Sequence, residues 1–123
     1  MKHLVLPAVL ISLLISGAAS IADAQVKKSI TVHGDLVDLI TFVSSGAKQE
    51  TDAITKSAKA GNPLALYDTK AKKLYLVGTL GVNKNVNETL IPYIGMRTFI
   101  TGKVYSKNGV NLILMSDVGK SIK

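Results

Sequence analysis

With 123 residues and a formal net charge of +7, from 15 Lys and Arg against 8 Asp and Glu, the chain is the size of one domain. It contains no Cys, which excludes a disulfide scaffold and any cysteine-ligated metal or cluster. Apolar residues make up 47% but aromatics only 5%, so any core must be aliphatic.

Residues 1–24 read as an export signal. Lys2 and His3 form a short basic start, 4–15 is almost wholly apolar, and small residues lead to Ala22-Asp23-Ala24, a small-x-small cleavage pattern. The apolar run is shorter than the ~20 residues of a spanning helix. No Cys follows it for lipid attachment, and no later segment is apolar enough to span. The expectation is a single domain over 25–123, periplasmic or secreted, with the signal cut after Ala24. That segment keeps the charge of +7, because Lys2 and Asp23 leave together. Its basicity is all Lys except Arg97. Lys is a hydrated point charge suited to diffuse anion attraction, whereas geometric reading of phosphate or guanine uses Arg. A general basic surface is therefore expected rather than a base-reading site.

The stretch 26–43 is rich in β-branched residues. Ile30, Val32 and Leu36 alternate with Thr31, His33 and Asp35, which predicts a half-buried strand bent at Gly34. Around 49–60 the apolar spacing turns helical, through Ala53, Ile54, Ala58 and Ala60. Asp52 sits early, Lys56 and Lys59 late, and Gly61 and Pro63 end the helix. Its small apolar face predicts an appendage on the fold, anchored by Ile54. Two short strands, 64–67 and 74–77, form a hairpin with Leu64, Leu66, Leu74 and Leu76 inside and Tyr67 and Tyr75 sharing the outer face. That parity depends on the register. After a loop at 78–86, Asn85 is placed to cap one or two helical turns ended by Pro92. Strands at 97–105 and 110–115 follow, joined by the Asn108-Gly109 turn.

The order is mainly β: five strands, an inserted helix after strand one and a short helix between strands three and four. That is the order of an OB-fold-like Greek-key barrel; an open α+β sheet is the alternative arrangement. Val32-His33-Gly34-Asp35-Leu36 is echoed by Ile100-Thr101-Gly102-Lys103-Val104 as apolar-x-Gly-x-apolar. The run Gly34-Asp35-Leu36-Val37-Asp38, then Ser45-Gly46-Ala47-Lys48, Ala60-Gly61-Asn62-Pro63-Leu64-Ala65-Leu66-Tyr67, Lys73-Leu74-Tyr75-Leu76 and Pro92-Tyr93-Ile94-Gly95 resembles small exported bacterial OB-fold proteins of uncharacterised role. Members of that group often carry Cys near the end of strand one and on the inserted helix, with a nearby His. Thr41, Ala53 and Ser57 stand in that region here, so the resemblance implies fold and export but no metal or redox chemistry.

Candidate chemistry is sparse. His33 has no partner set for a metal, and its strand position predicts an outward, solvent-facing ring. Asp35 and Asp38, three apart on a strand, point to opposite faces and read as solvated strand-end residues. The Ser and Thr hydroxyls lie in no nucleophile motif. Asn87-Glu88-Thr89 matches a glycosylation sequon, relevant only in a eukaryotic source. The strongest cluster is Tyr67 and Tyr75 with Lys70, Lys72 and Lys73: two stacking rings beside a basic hairpin tip. The expected function is a non-enzymatic, cofactor-free binding or accessory protein that holds an anionic or oligomeric ligand on that hairpin. The alternative is a structural protein–protein interaction module of the envelope. The expected partner is an anionic envelope polymer or a secreted protein, with nucleic acid ranked behind both.

Overall fold

The computed structural model describes residues 28–46, 48–79, 81 and 85–123. The expected export signal lies outside the described residues. The chain runs β1 (Ser29–Asp38), α1 (Leu39–Ser44), α2 (Thr51–Lys59), β2 (Leu64–Asp68), β3 (Lys73–Thr79), α3 (Val86–Leu90), a 3-10 turn (Ile91–Tyr93), β4 (Arg97–Lys107) and β5 (Val110–Lys120). The five strands close into a barrel in the order β1-β2-β3-β5-β4, with β1 also paired to β4. Neighbours are antiparallel except β3 and β5, which run parallel. Among the described residues no helix is long and apolar enough to cross a membrane.

Two close approaches of backbone shape the barrel. β1 pairs with β4 from Ser29 to Asp35 and with β2 from Asp35 onward, so it changes partner next to Gly34. A Cβ at Gly34 would collide with the Tyr67 carbonyl. At Gly102 a Cβ would collide with the Leu114 carbonyl, beside a register shift between Thr101 and Gly102. Thr101 pairs with Asp117 and Gly102 with Met115, leaving Ser116 as the extra residue of a bulge. The two halves of the apolar-x-Gly-x-apolar echo thus occupy equivalent roles: each lets a bent strand touch its neighbour's main chain.

Val32, Leu36, Leu64, Leu66, Ile100 and Ile113 fill the interior, a mostly aliphatic core that Tyr75 joins. Helix α2 closes one end. It carries Asp52 in its first turn and Lys56 and Lys59 in its last, and Gly61 follows its C-cap at φ 101°, a conformation that favours glycine. Ile54 is only 6% exposed and joins Ala58 in the core cluster with Leu90 and Ile94. The expectation of a detachable appendage is therefore corrected. Small residues on a helix face let it approach closely, and here α2 is part of the core. The Asn87 side chain holds α3 against this end by donating to Ala58 O at 3.0 Å and Asn62 O at 2.8 Å. The sequon asparagine thus spends its amide nitrogen on main-chain carbonyls. Asn85 caps α3 as expected, accepting from Asn87 N at 3.0 Å.

Strand one also stops earlier than its composition suggests. The β-branched stretch reaches residue 43, yet Leu39–Ser44 forms α1. Gln49 explains the break: its side chain accepts from Asp38 N at 2.7 Å and donates to Asp38 O at 3.1 Å, using both main-chain groups of that residue. Thr41 then donates to Asp38 Oδ2 at 2.7 Å and turns the chain.

Candidate functional site

The β2–β3 hairpin pairs Asp68 with Lys73, Tyr67 with Leu74 and Leu66 with Tyr75. Directly opposed residues share a face. Tyr67 and Tyr75 would share one only around a loop with an odd number of residues, but residues 69–72 make an even loop. Asp68 Oδ1 sets that loop by accepting from Lys70 N at 3.0 Å and Ala71 N at 3.1 Å, and Lys72 sits at φ 56°. The expected twin-tyrosine platform is therefore corrected. Tyr75 is 7% exposed and belongs to the core cluster, while Tyr67 faces outward. The lysines Lys70, Lys72 and Lys73 do cluster, exposed, at the hairpin tip.

Burial pushes the Tyr75 phenol above its ordinary pKa, and the Asp68 carboxylate adds to the rise. A group with a raised folded-state pKa contributes stability that is full below the unfolded value near 10 and is lost as pH rises through the folded value. The wild-type protein should accordingly lose stability in that alkaline window, and Tyr75→Phe should flatten the loss. Denaturant titrations at stepped pH would show it, and identical alkaline slopes in both proteins would count against a buried phenol.

Tyr67 does not stand alone. Its ring lies 4.7 Å from that of Phe42 on α1, tilted by 48°. On the same outer face, Val37 opposes Ala65, Ala65 opposes Leu76, Leu76 opposes Leu112, and Leu112 opposes Tyr105. This row crosses β1, β2, β3, β5 and β4 and is aliphatic until Tyr105. Gly78 sits beside it, with Leu114 and Leu112 side-chain carbons 3.3 and 3.6 Å from where its Cβ would be. All but the buried Ala65 in the row are half-buried. Helix α1 also leaves Ile40, 53% exposed, and Val43, 69% exposed. Exposed Lys103 and Lys107 stand on the same face of β4 as Tyr105, and Lys70, Lys72 and Lys73 lie exposed at the hairpin tip. The sequence pattern missed this row, because its members alternate with core residues and read as ordinary strand filling. The register is the signal that assembles them.

His33 points outward as expected but is half-buried rather than solvent-facing. Its Nδ1 shares a 2.7 Å hydrogen bond with Ser121 Oγ, and its ring lies 6.3 Å from Phe99. Asp35 and Asp38 do face opposite ways. Asp35 is exposed, but Asp38 is 7% exposed, so its reading as a solvated strand end is corrected. Several hydroxyls serve the backbone: Thr55 donates to Thr51 O at 2.8 Å and Ser45 to Thr41 O at 2.9 Å.

Compared with protein-family models, curated proteins and solved structures, the chain matches none of them.

Proposed function

We propose that this chain is an exported, non-catalytic binding module of the OB-fold type that docks a protein partner on the outer face of β2, β3 and β5. The strand order, the parallel β3–β5 pair and the helical segment between β3 and β4 support the OB-fold reading. Barrels of that type hold ligands on strands two and three, between the loops that follow strands one and four. Here α1 follows β1, the Lys107–Val110 turn follows β4, and the apolar row lies between them.

The observation that carries the proposal is the continuous row Val37, Ala65, Leu76, Leu112 and Tyr105, extended by Tyr67 and Phe42. A contiguous apolar face rimmed by polar residues suits a protein surface. Lys103 and Lys107 beside Tyr105 and the net charge of +7 select an acidic surround on the partner. A stacked oligonucleotide or sugar chain fits less well, because the second tyrosine is buried in the barrel.

The test is a photo-crosslinking side chain in place of Leu76, with the same group at exposed Lys59 on α2 as a control, applied in the native envelope fraction. One discrete protein adduct should form at position 76 and not at 59. It should survive high salt and vanish in Leu112→Asp. An adduct whose yield falls steeply as salt rises, or one formed with polysaccharide, would replace this reading with an anionic polymer held by the hairpin lysines. Intact mass of the exported protein, starting at Gln25, would establish the processing step, and retention of residues 1–24 would refute it.

A further inference from the structure

Where β1 parts from β2 it leaves one of its own edges uncovered. From Ser29 to Gly34 the strand pairs with β4 on one side, and β2 joins the other side only at Asp35. A cleft of about 320 Å³ opens there, between Ile30, Thr31, Val32 and His33 on β1 and Asp68, Lys70 and Ala71 at the hairpin tip. Successive side chains of a strand point to opposite faces, so four consecutive residues line one space only along the edge of the strand. Alternate residues on that edge aim their main-chain N–H and C=O groups away from β4, into the cleft. Among the described residues no strand pairs with Ser29 to His33 on that side.

We propose that this edge takes up an extended segment of a partner protein as an added strand, one in which apolar and acidic residues alternate. Main-chain pairing gives such a strand its affinity, and the two faces of the cleft give its pattern. On the inner face stand Val32 and Tyr75 of the core, with Ile30 beside them left 46% exposed, and these meet the apolar residues. Around the cleft Lys70, Arg97 and Lys123 set three cationic side chains against the one carboxylate of Asp68, and His33 points outward beside them. Asp68 Oδ1 already accepts from the N–H groups of Lys70 and Ala71. Arg97 Nε donates to the Lys123 main-chain oxygen at 3.2 Å, which holds the guanidinium at the rim, and Asp35 opposes Arg97 in the register but does not line the cleft. The outer face therefore selects acidic residues on the incoming strand. A second copy of this chain suits the edge poorly, because each copy carries +7 and would bring like charges together. The edge is separate from the apolar row on the outside of the barrel and does not depend on its function.

The experiment adds an N-acetylated, C-amidated hexapeptide of alternating valine and aspartate to the isotope-labelled protein and follows amide exchange by NMR. In the free protein, alternate amides among Ile30, Thr31, Val32 and His33 should exchange quickly with solvent. Saturating peptide should slow them by about tenfold or more, the effect of a hydrogen bond made to each. Two control peptides should not bind: one of the same composition with its valines and aspartates in separate blocks, and the alternating peptide N-methylated throughout, which keeps its charges and loses its main-chain donors. Ala71→Trp, at an exposed tip position on the wall of the cleft, should block binding and leave the barrel folded. Lys70→Glu, also exposed, should weaken binding about two- to fivefold, the range of an exposed ion pair. Equal binding of either control peptide, undiminished binding in Ala71→Trp, or slow exchange of all four amides before peptide is added would overturn the proposal. Protection of those amides that grows with protein concentration alone would overturn it in favour of a second copy of this chain.

Discussion

Ile54→Ala should lower the free energy of unfolding by about 2–5 kcal/mol, the range for deleting a buried branched side chain that leaves a cavity. Ile54 sits on α2 but is buried to 6% exposure in one cluster with Leu36, Leu64 and Leu90. The methyl groups it loses are partners of the barrel interior, not of the helix alone. For a domain stable by roughly 5–15 kcal/mol, that is a large share. The denaturant midpoint should fall while the transition stays a single step. Ile122→Ala is the control: at 96% exposure it should change stability by less than about 0.5 kcal/mol. A separate early loss of helix signal, with the barrel transition unmoved, would restore the appendage view.

Gly102→Ala should be at least as damaging, for a different reason. The added methyl has no side chain to push aside, because what it meets is the Leu114 carbonyl of the adjacent strand, with an Ile113 side-chain carbon 3.2 Å away. Relief requires β4 and β5 to separate at the bulge, which breaks ladder hydrogen bonds and opens the core beside Ile113. A loss of several kcal/mol is expected, in the range reserved for strain and overpacking. Gly109→Ala separates sterics from backbone preference. Gly109 has φ 84° and no atom near its Cβ position, so alanine there should cost only about 1–2 kcal/mol of left-handed strain. Equal effects at the two glycines would show that close approach is not what Gly102 provides.

What can be read from the residues alone divides along physical lines. Gly34 and Gly102 are visible as bends because a glycine within a β-branched run has few other uses. The Asn108-Gly109 turn and the Asn85 cap are equally legible, since each is decided within a few residues. The closed barrel of five strands with short helices follows from element order. The hairpin parity is not legible, because it hinges on one residue of loop length, fixed by the Asp68 side chain. The apolar alternation predicts that β5 ends near 115, because Ser116, Asp117 and Gly119 break it. The strand runs to Lys120 instead, because the bulge at Ser116 shifts the register and returns Val118 opposite Ile100. The burial of Asp38 is hidden for a similar reason. Its clamp, Gln49, lies across an entire helix and loop, and no local pattern links the two. The apolar outer row needs the pairing of all five strands before it becomes a surface.

The place of β5 between β3 and β4 has a consequence for how the chain reaches this state. β5 follows both neighbours in sequence yet must lie between them, parallel to one and antiparallel to the other. Until it arrives, β3 and β4 each present an open edge, and β1 can hold β4 only across a wide loop, as in the pairing of His33 with Phe99. Such non-local ladders must meet the entropy of loop closure before their contacts form, which places folding in the range of milliseconds to seconds. During that interval exposed edges of apolar strands can pair between molecules instead of within one. Refolding yield should therefore fall as protein concentration rises, and the last strand to join governs whether a chain becomes a barrel or an aggregate.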